Sequence, residues 1–215
     1  MKKQKHRNLG SEENLVSILR KKIALLEYPP GETLRVQEIT KEFDCSRTPI
    51  REALARLQAE GLINNTHGKG LSVSEVNFRH LKEVSQVRKH LTILVAQLIT
   101  INVQPPELDD LEKLVEEMKE EEEPGKLIEL DLDFHNRVYK LTRNQLLERI
   151  MNSLIIKATR IWLFSINRNI TFQFSKDHSK LIEALREGNR ELVEEVLQNH
   201  SQQTIKYIKQ DLENI

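Results

Sequence analysis

Two groups of residues in this 215-residue chain have types and spacings that can do chemistry. The first lies in the run Ser46 to Gly61, S-R-T-P-I-R-E-A-L-A-R-L-Q-A-E-G, where Arg47 and Arg51 stand four residues apart. On a helix both leave one face, while Ile50, Ala53, Leu54 and Leu57 leave another. A guanidinium fork matches a guanine edge or a phosphate. The run therefore suits reading of the DNA major groove, with Arg47 and Arg51 at base edges and Thr48 on a phosphate or a thymine methyl group. Arg56, further along, is expected on backbone or solvent. Surface ion pairing of the arginines with Glu42 or Glu52 is the alternative.

The second group is Asp131 and His135, four apart and so on one helix face, with His178 and His200 on later helices. One carboxylate oxygen and three imidazoles suit a divalent first-row ion: zinc first, with nickel and manganese as alternatives. Two ligands on one helical turn cost little chain entropy. The other two must be delivered by packing, so a metal would brace the fold. By spacing alone, ordinary hydrogen-bonded core histidines stay open as the other reading.

The elements that must position these residues are mostly helical. Few glycines and prolines among many Leu, Ile, Glu and Lys favour helix. Apolar periodicity predicts helices over 14–26 and 36–43, with Tyr28-Pro29-Pro30-Gly31 stopping the first. Asp44-Cys45-Ser46 forms a turn. Ser46 or Thr48 caps the next helix, Pro49 fits its first turn, and the helix ends near Gly61. Leu62-Ile63-Asn64 and Leu71-Ser72-Val73 read as strands joined through His67-Gly68-Lys69-Gly70. Three helices and a hairpin make a winged helix-turn-helix over 1–75. Its thin tip, His67, Gly68 and Lys69, suits approach to the minor groove. A linker is placed at 75–78, followed by an all-α bundle over 79–215.

In the bundle, helices are expected over 81–101, 108–123, 127–141, 146–164, 172–186 and 191–215. Pro105-Pro106 breaks the first and Pro124-Gly125 ends the second. The acidic run Glu120 to Glu123 then falls at a helix C-terminus, disfavoured by the dipole, and reads as a solvated end. Cys45 reads as a small apolar residue and not a redox sensor.

Charge is zero overall but divided: 13 Lys+Arg against 10 Asp+Glu in residues 1–78, or +3, and 20 against 23 beyond, or −3. The basic start, Lys2, Lys3, Lys5 and Arg7, can lie on phosphates or be a solvated terminus. A single cysteine leaves no intrachain disulfide and points to a reducing cytoplasm. Leu91 to Val103, the longest apolar stretch, is too short and interrupted to span a bilayer.

The Ser46–Gly61 run resembles the recognition-helix signature of the GntR family of bacterial transcription regulators. Its flanks agree: Tyr28 to Leu34 before it, and Glu60-Gly61-Leu62-Ile63 with His67-Gly68-Lys69-Gly70 after it. The C-terminal part resembles the FadR-like subgroup, whose all-helical (FCD) effector domain often holds a metal. Arg47, Arg51, His67 and Gly68 match the family's DNA-contacting positions. Gln37 stands where some members carry an arginine, and Arg35 is two residues away. Asp131-x-x-x-His135, Asp177-His178 and Asn199-His200 match the metal-ligand positions, with Asp177 in place of the usual glutamate.

The resemblance implies a homodimer on pseudopalindromic double-stranded operator DNA, controlled by a small carboxylate effector at or near the metal. Arg88 matches a basic position on the first effector-domain helix and can clamp a carboxylate. A glutamate usual near Thr92 is missing. Asn144 and Arg160 are further polar candidates for the effector. Repression relieved by ligand is expected, with activation as the alternative. A regulator answering to the metal itself uses the same ligands. A metal-dependent hydrolase would need a general base, and Asp133, two residues from Asp131, points to a different helix face. No enzyme activity is expected.

Overall fold

The computed structural model describes residues 12–66, 68, 70–76, 78–165 and 174–213. The chain divides into two compact units, Met1–Val76 and Asn77–Ile215.

In the first unit, α1 (Glu12–Ala24), α2 (Val36–Phe43) and α3 (Arg47–Ala59) precede an antiparallel hairpin of β1 (Ile63–Thr66) and β2 (Gly70–Val73). Leu15, Leu19 and Ile23 of α1 meet Ile50, Leu54 and Leu57 of α3 in a core closed by Ile39, Leu62 and Val73. Each large side chain so buried contributes about 1.5–3 kcal/mol. The helix α1 ends at Ala24, two residues before the expected end at Leu26, because Leu26 takes a left-handed φ of 59°. The amides of Leu25 and Glu27 bond back to Lys21 and Lys22, spending the last carbonyls before the prolines are reached.

Gly31, in the segment after α1, has φ +82°, and its amide donates to the Val73 carbonyl at 3.0 Å. A Cβ there would lie 2.8 Å from Glu75 Oε1, so both the backbone angle and the space call for glycine. Two residues on, Thr33 bridges to Ser72, adding a third extended segment to the hairpin that the strand pattern did not announce.

The turn between α2 and α3 is made by Asp44 in the left-handed region, with the Cys45 amide on the Thr40 carbonyl at 3.2 Å. Ser46 takes the extended N-cap conformation, but its side chain makes no capping bond, and Thr48 lies inside the helix. Expectation and structure therefore agree on where α3 starts and differ on what satisfies its first amides. Arg20 of α1 grips Glu60, at the end of α3, with both Nε (3.0 Å) and Nη2 (2.5 Å), which fixes α3 against α1.

The second unit is a helical bundle: α4 (Phe78–Asn102), α5 (Pro105–Glu120), α6 (Pro124–Leu141), α7 (Gln145–Ser165), α8 (Phe174–Arg186) and α9 (Arg190–Glu213). The helix α4 packs on α6, α7 and α9, while α5 packs on α6 and α8. The prolines at both boundaries act differently from expectation. Pro105-Pro106 open α5, and Pro124 opens α6, where a missing amide costs nothing. The acidic run is likewise split. Only Glu120 closes a helix, whereas Glu123 is the N-cap of α6 and accepts from Gly125 N (2.9 Å) and Lys126 N (2.7 Å). A carboxylate there is favoured by the dipole, which reverses the expected sign.

Candidate metal centre and nucleic-acid interface

On α3, Ile50, Ala53, Leu54 and Leu57 are buried, so the helix has no choice of which face it offers outward. Arg47, Thr48 and Arg51 are all exposed on that outer face. Among the described residues neither arginine has a hydrogen bond or ion pair. Glu42, one of the two suggested partners, is held by Tyr28 (2.6 Å) and Lys22 (3.0 Å). Arg35 pairs with Glu38 at 2.9 Å on the exposed start of α2. At the hairpin tip Gly68 is exposed with φ +79°, and a Cβ there would touch nothing within 4 Å. His67 and Lys69 lie outside the described residues, as does the basic start of the chain.

The four expected ligands come together. Asp131 and His135 of α6, His178 of α8 and His200 of α9 are each under 8% exposed, with their donor atoms all within 4.8 Å of one another. His178 Nε2 lies 2.8 Å from Asp131 Oδ1, His135 Nε2 lies 3.7 Å from the same oxygen, and His200 Nε2 lies 3.3 Å from His135 Nε2. Donors bonded to one ion at about 2.0–2.2 Å sit roughly 3.0–3.5 Å apart at neighbouring vertices. The set therefore fits a divalent ion in number, type and spacing.

Its electrostatics agree. Burial lowers two of the histidines, His135 well below its ordinary value and His178 also, with Asp131 opposing the shift at both. Burial would raise the Asp131 carboxyl, but His135, His178 and His200 outweigh it and hold it at about 2. The neutral imidazoles of His135 and His178 beside an ionised Asp131 are in the protonation state a cation needs.

Packing orients the rings. Phe134, fully buried, stacks on His178 with centroids 3.9 Å apart and planes 13° apart. Tyr139 stacks on His135 at 5.7 Å, and the Arg88 charge bears on its hydroxyl. Spacing could have indicated Tyr139, four residues after His135 on the same face. Nothing local marked Phe134.

Arg88 of α4 is buried at 5% exposure, its charge bears on His135, and its Nε has no hydrogen-bond partner among the described residues. Arg160 of α7 is also buried. Asn144, the other polar candidate, is not brought to this centre by any contact. It is exposed, and its Oδ1 accepts from Leu147 N at 3.1 Å, capping α7. Asn is a favoured cap because a short side-chain acceptor reaches the free amides of the first turn.

A winged helix-turn-helix with a free basic face, joined to an all-helical domain enclosing an acid–histidine centre, defines a one-chain DNA-binding regulator. Residues 12–73 match the bacterial regulatory proteins of the gntR family, and residues 83–203 match the FCD domain. The chain belongs to the GntR family and is a transcription regulator and not an enzyme. It is 29% identical over 198 residues to the HTH-type transcriptional regulator LutR of Bacillus subtilis, covering 81% of this chain and 90% of that one. It is 23% identical over 202 residues to the HTH-type transcriptional repressor RspR of Escherichia coli, covering 92% and 89%. The structure of E. coli McbR/YncC superposes with a TM-score of 0.82 at 21% identity, covering 94% of this chain and 98% of that one, which shows the shared fold. No helix among the described residues is long and apolar enough to cross a membrane.

Proposed function

We propose that the chain is a homodimeric repressor of operator DNA, released by a small carboxylate bound at a divalent metal held by Asp131, His135, His178 and His200. In this reading residues 1–75 read the DNA, and residues 79–215 bind the effector and dimerise. The relative named a repressor supports the direction of regulation. When bound, the ion supplies a Lewis-acidic position for a carboxylate oxygen.

Arg88 carries the effector assignment. A buried guanidinium beside the centre with an unfilled N–H calls for an anion, since an unmet charge-assisted hydrogen bond in the interior is costly. Through Tyr139 it is also linked to His135, so an anion there touches the ligand shell. The test is a thermal-shift screen of the metal-loaded protein against small carboxylates, sugar acids and amino acids. At least one acid at 100 times its Kd should stabilise by about 2.7 kcal/mol. Arg88→Met should abolish the shift while keeping the metal. A shift unchanged in Arg88→Met, or none with any acid, overturns the assignment.

The homodimer is supported by where apolar surface remains. The large exposed hydrophobics among the described residues are Val87, Leu94 and Ile101 of α4, seven apart on one stripe, and Leu146 and Ile150 of α7. These two helices pack on each other. The Asn102 side chain bonds the Thr142 carbonyl at 3.0 Å, so Ile101 and Leu146 lie at the same end. A continuous apolar face on one monomer marks an interface. Leu94→Glu with Ile101→Glu should convert a dimer to a monomer in light scattering. A double variant that stays dimeric places the contact elsewhere.

A further inference from the structure

Asp177 opens a line of argument that the four ligands do not cover. It lies in the first turn of α8, one residue before His178, yet it faces a residue of a different helix. Its Oδ2 is 3.6 Å from Nδ1 of His200 on α9, while the Nε2 of the same ring points toward His135. The two nitrogens of His200 are thus divided, one toward the ligand cluster and one toward a carboxylate. Only a ring protonated at Nδ1 leaves the Nε2 lone pair free, and a carboxylate behind Nδ1 selects that tautomer.

The other two rings are held by apolar faces, His178 by Phe134 and His135 by Tyr139. His178 and His135 meet His200 at tilted angles of 49° and 43°. His200 also comes from the last helix, the one whose position along the bundle the earlier ligands do not set. Asp177 reaches its ring from α8, the helix that carries His178.

From this geometry we propose that Asp177 is a positioning residue for the metal: it holds His200 in the Nδ1–H form, presents Nε2 to the ion, and ties α9 to α8. The proposal rests on the metal reading above. Burial of the Asp177 carboxylate is partial, and Lys180 at 3.9 Å is its other charged neighbour.

The test compares zinc affinity, by chelator competition, in the full-length wild type, Asp177→Asn, Asp177→Glu and Lys180→Ala. Loss of such a carboxylate costs about 10–100-fold in metal affinity. Asp177→Asn should fall in that range. Asp177→Glu should recover most of the loss, because the 3.6 Å separation leaves room for a longer side chain. Lys180→Ala should bind as the wild type does. Nitrogen NMR of the metal-free protein gives a second readout: His200 protonated at Nδ1 in the wild type and a tautomer mixture in Asp177→Asn. A purely structural role would lower the melting temperature of the metal-free protein and leave both readouts unmoved. Wild-type zinc affinity in Asp177→Asn overturns this proposal and leaves the metal centre standing. A wild type that does not bind zinc overturns both.

Discussion

Arg51→Ala is expected to weaken operator binding by about 10–100-fold with no loss of fold, and Arg47→Ala to do the same. Each side chain is exposed on the outer face of α3, while the core contacts come from Ile50, Leu54 and Leu57 on the opposite side. Neither substitution leaves a partner behind, because neither arginine is paired among the described residues. One bidentate contact to a base edge discriminates by about 1–3 kcal/mol. The measurement is fluorescence anisotropy on a duplex that the wild type selects from a random pool, against a scrambled duplex. If Arg51 reads a base, affinity falls on the selected duplex far more than on the scrambled one. If it meets only phosphate, both fall together and the salt dependence drops by about one ion. Binding unchanged on the selected duplex would remove α3 from the interface. The arrangement also predicts where tolerance lies: Arg20→Ala loosens α3 through Glu60, and so acts on binding only by way of stability.

Chelating the metal is expected to lower the melting temperature by roughly 10 °C. Ligand at 1,000 times its Kd stabilises by about 4 kcal/mol, and in a domain of this size each kcal/mol moves the midpoint by about 2–4 °C. The reason is topological. The four donors come from α6, α8 and α9, so the ion ties three helices that the loops alone do not hold in register. Without it, an ionised Asp131 stays buried, with His178 as its closest donor at 2.8 Å. Asp131→Asn keeps the shape and the hydrogen-bond acceptor but removes the charge. This variant should melt at the same temperature with and without chelator, and zinc, nickel or manganese should not stabilise it. If the wild type melts at one temperature whether loaded or stripped, the cluster is not a structural metal site. Comparing operator affinity of the loaded and stripped protein, with no organic acid present, separates a bracing metal from a signalling one.

Much of this protein was determined by sequence alone, wherever a local rule was enough. Arginines four apart beside a Leu and Ile stripe define both faces of α3, since helical period acts within a single element. The pair Asp131 and His135 shares a face for the same reason. Other matters were decided only by packing. Proline is compatible with either side of a helix boundary, so the sequence could not say that Pro105 and Pro124 begin helices. Val87 and Arg88 are neighbours in the chain, yet the apolar one is 46% exposed and the charged one is buried, the reverse of what their types suggest. Arg88 and the further candidate Asn144 were both polar residues of open placement until the fold made Asn144 a helix cap and enclosed Arg88. Asp177 was visible only as the residue before His178, and its partner, His200, stands on the next helix. Local pattern assigns side chains to faces. Which faces meet depends on contacts between residues far apart in the chain, and those are set only when the helices pack.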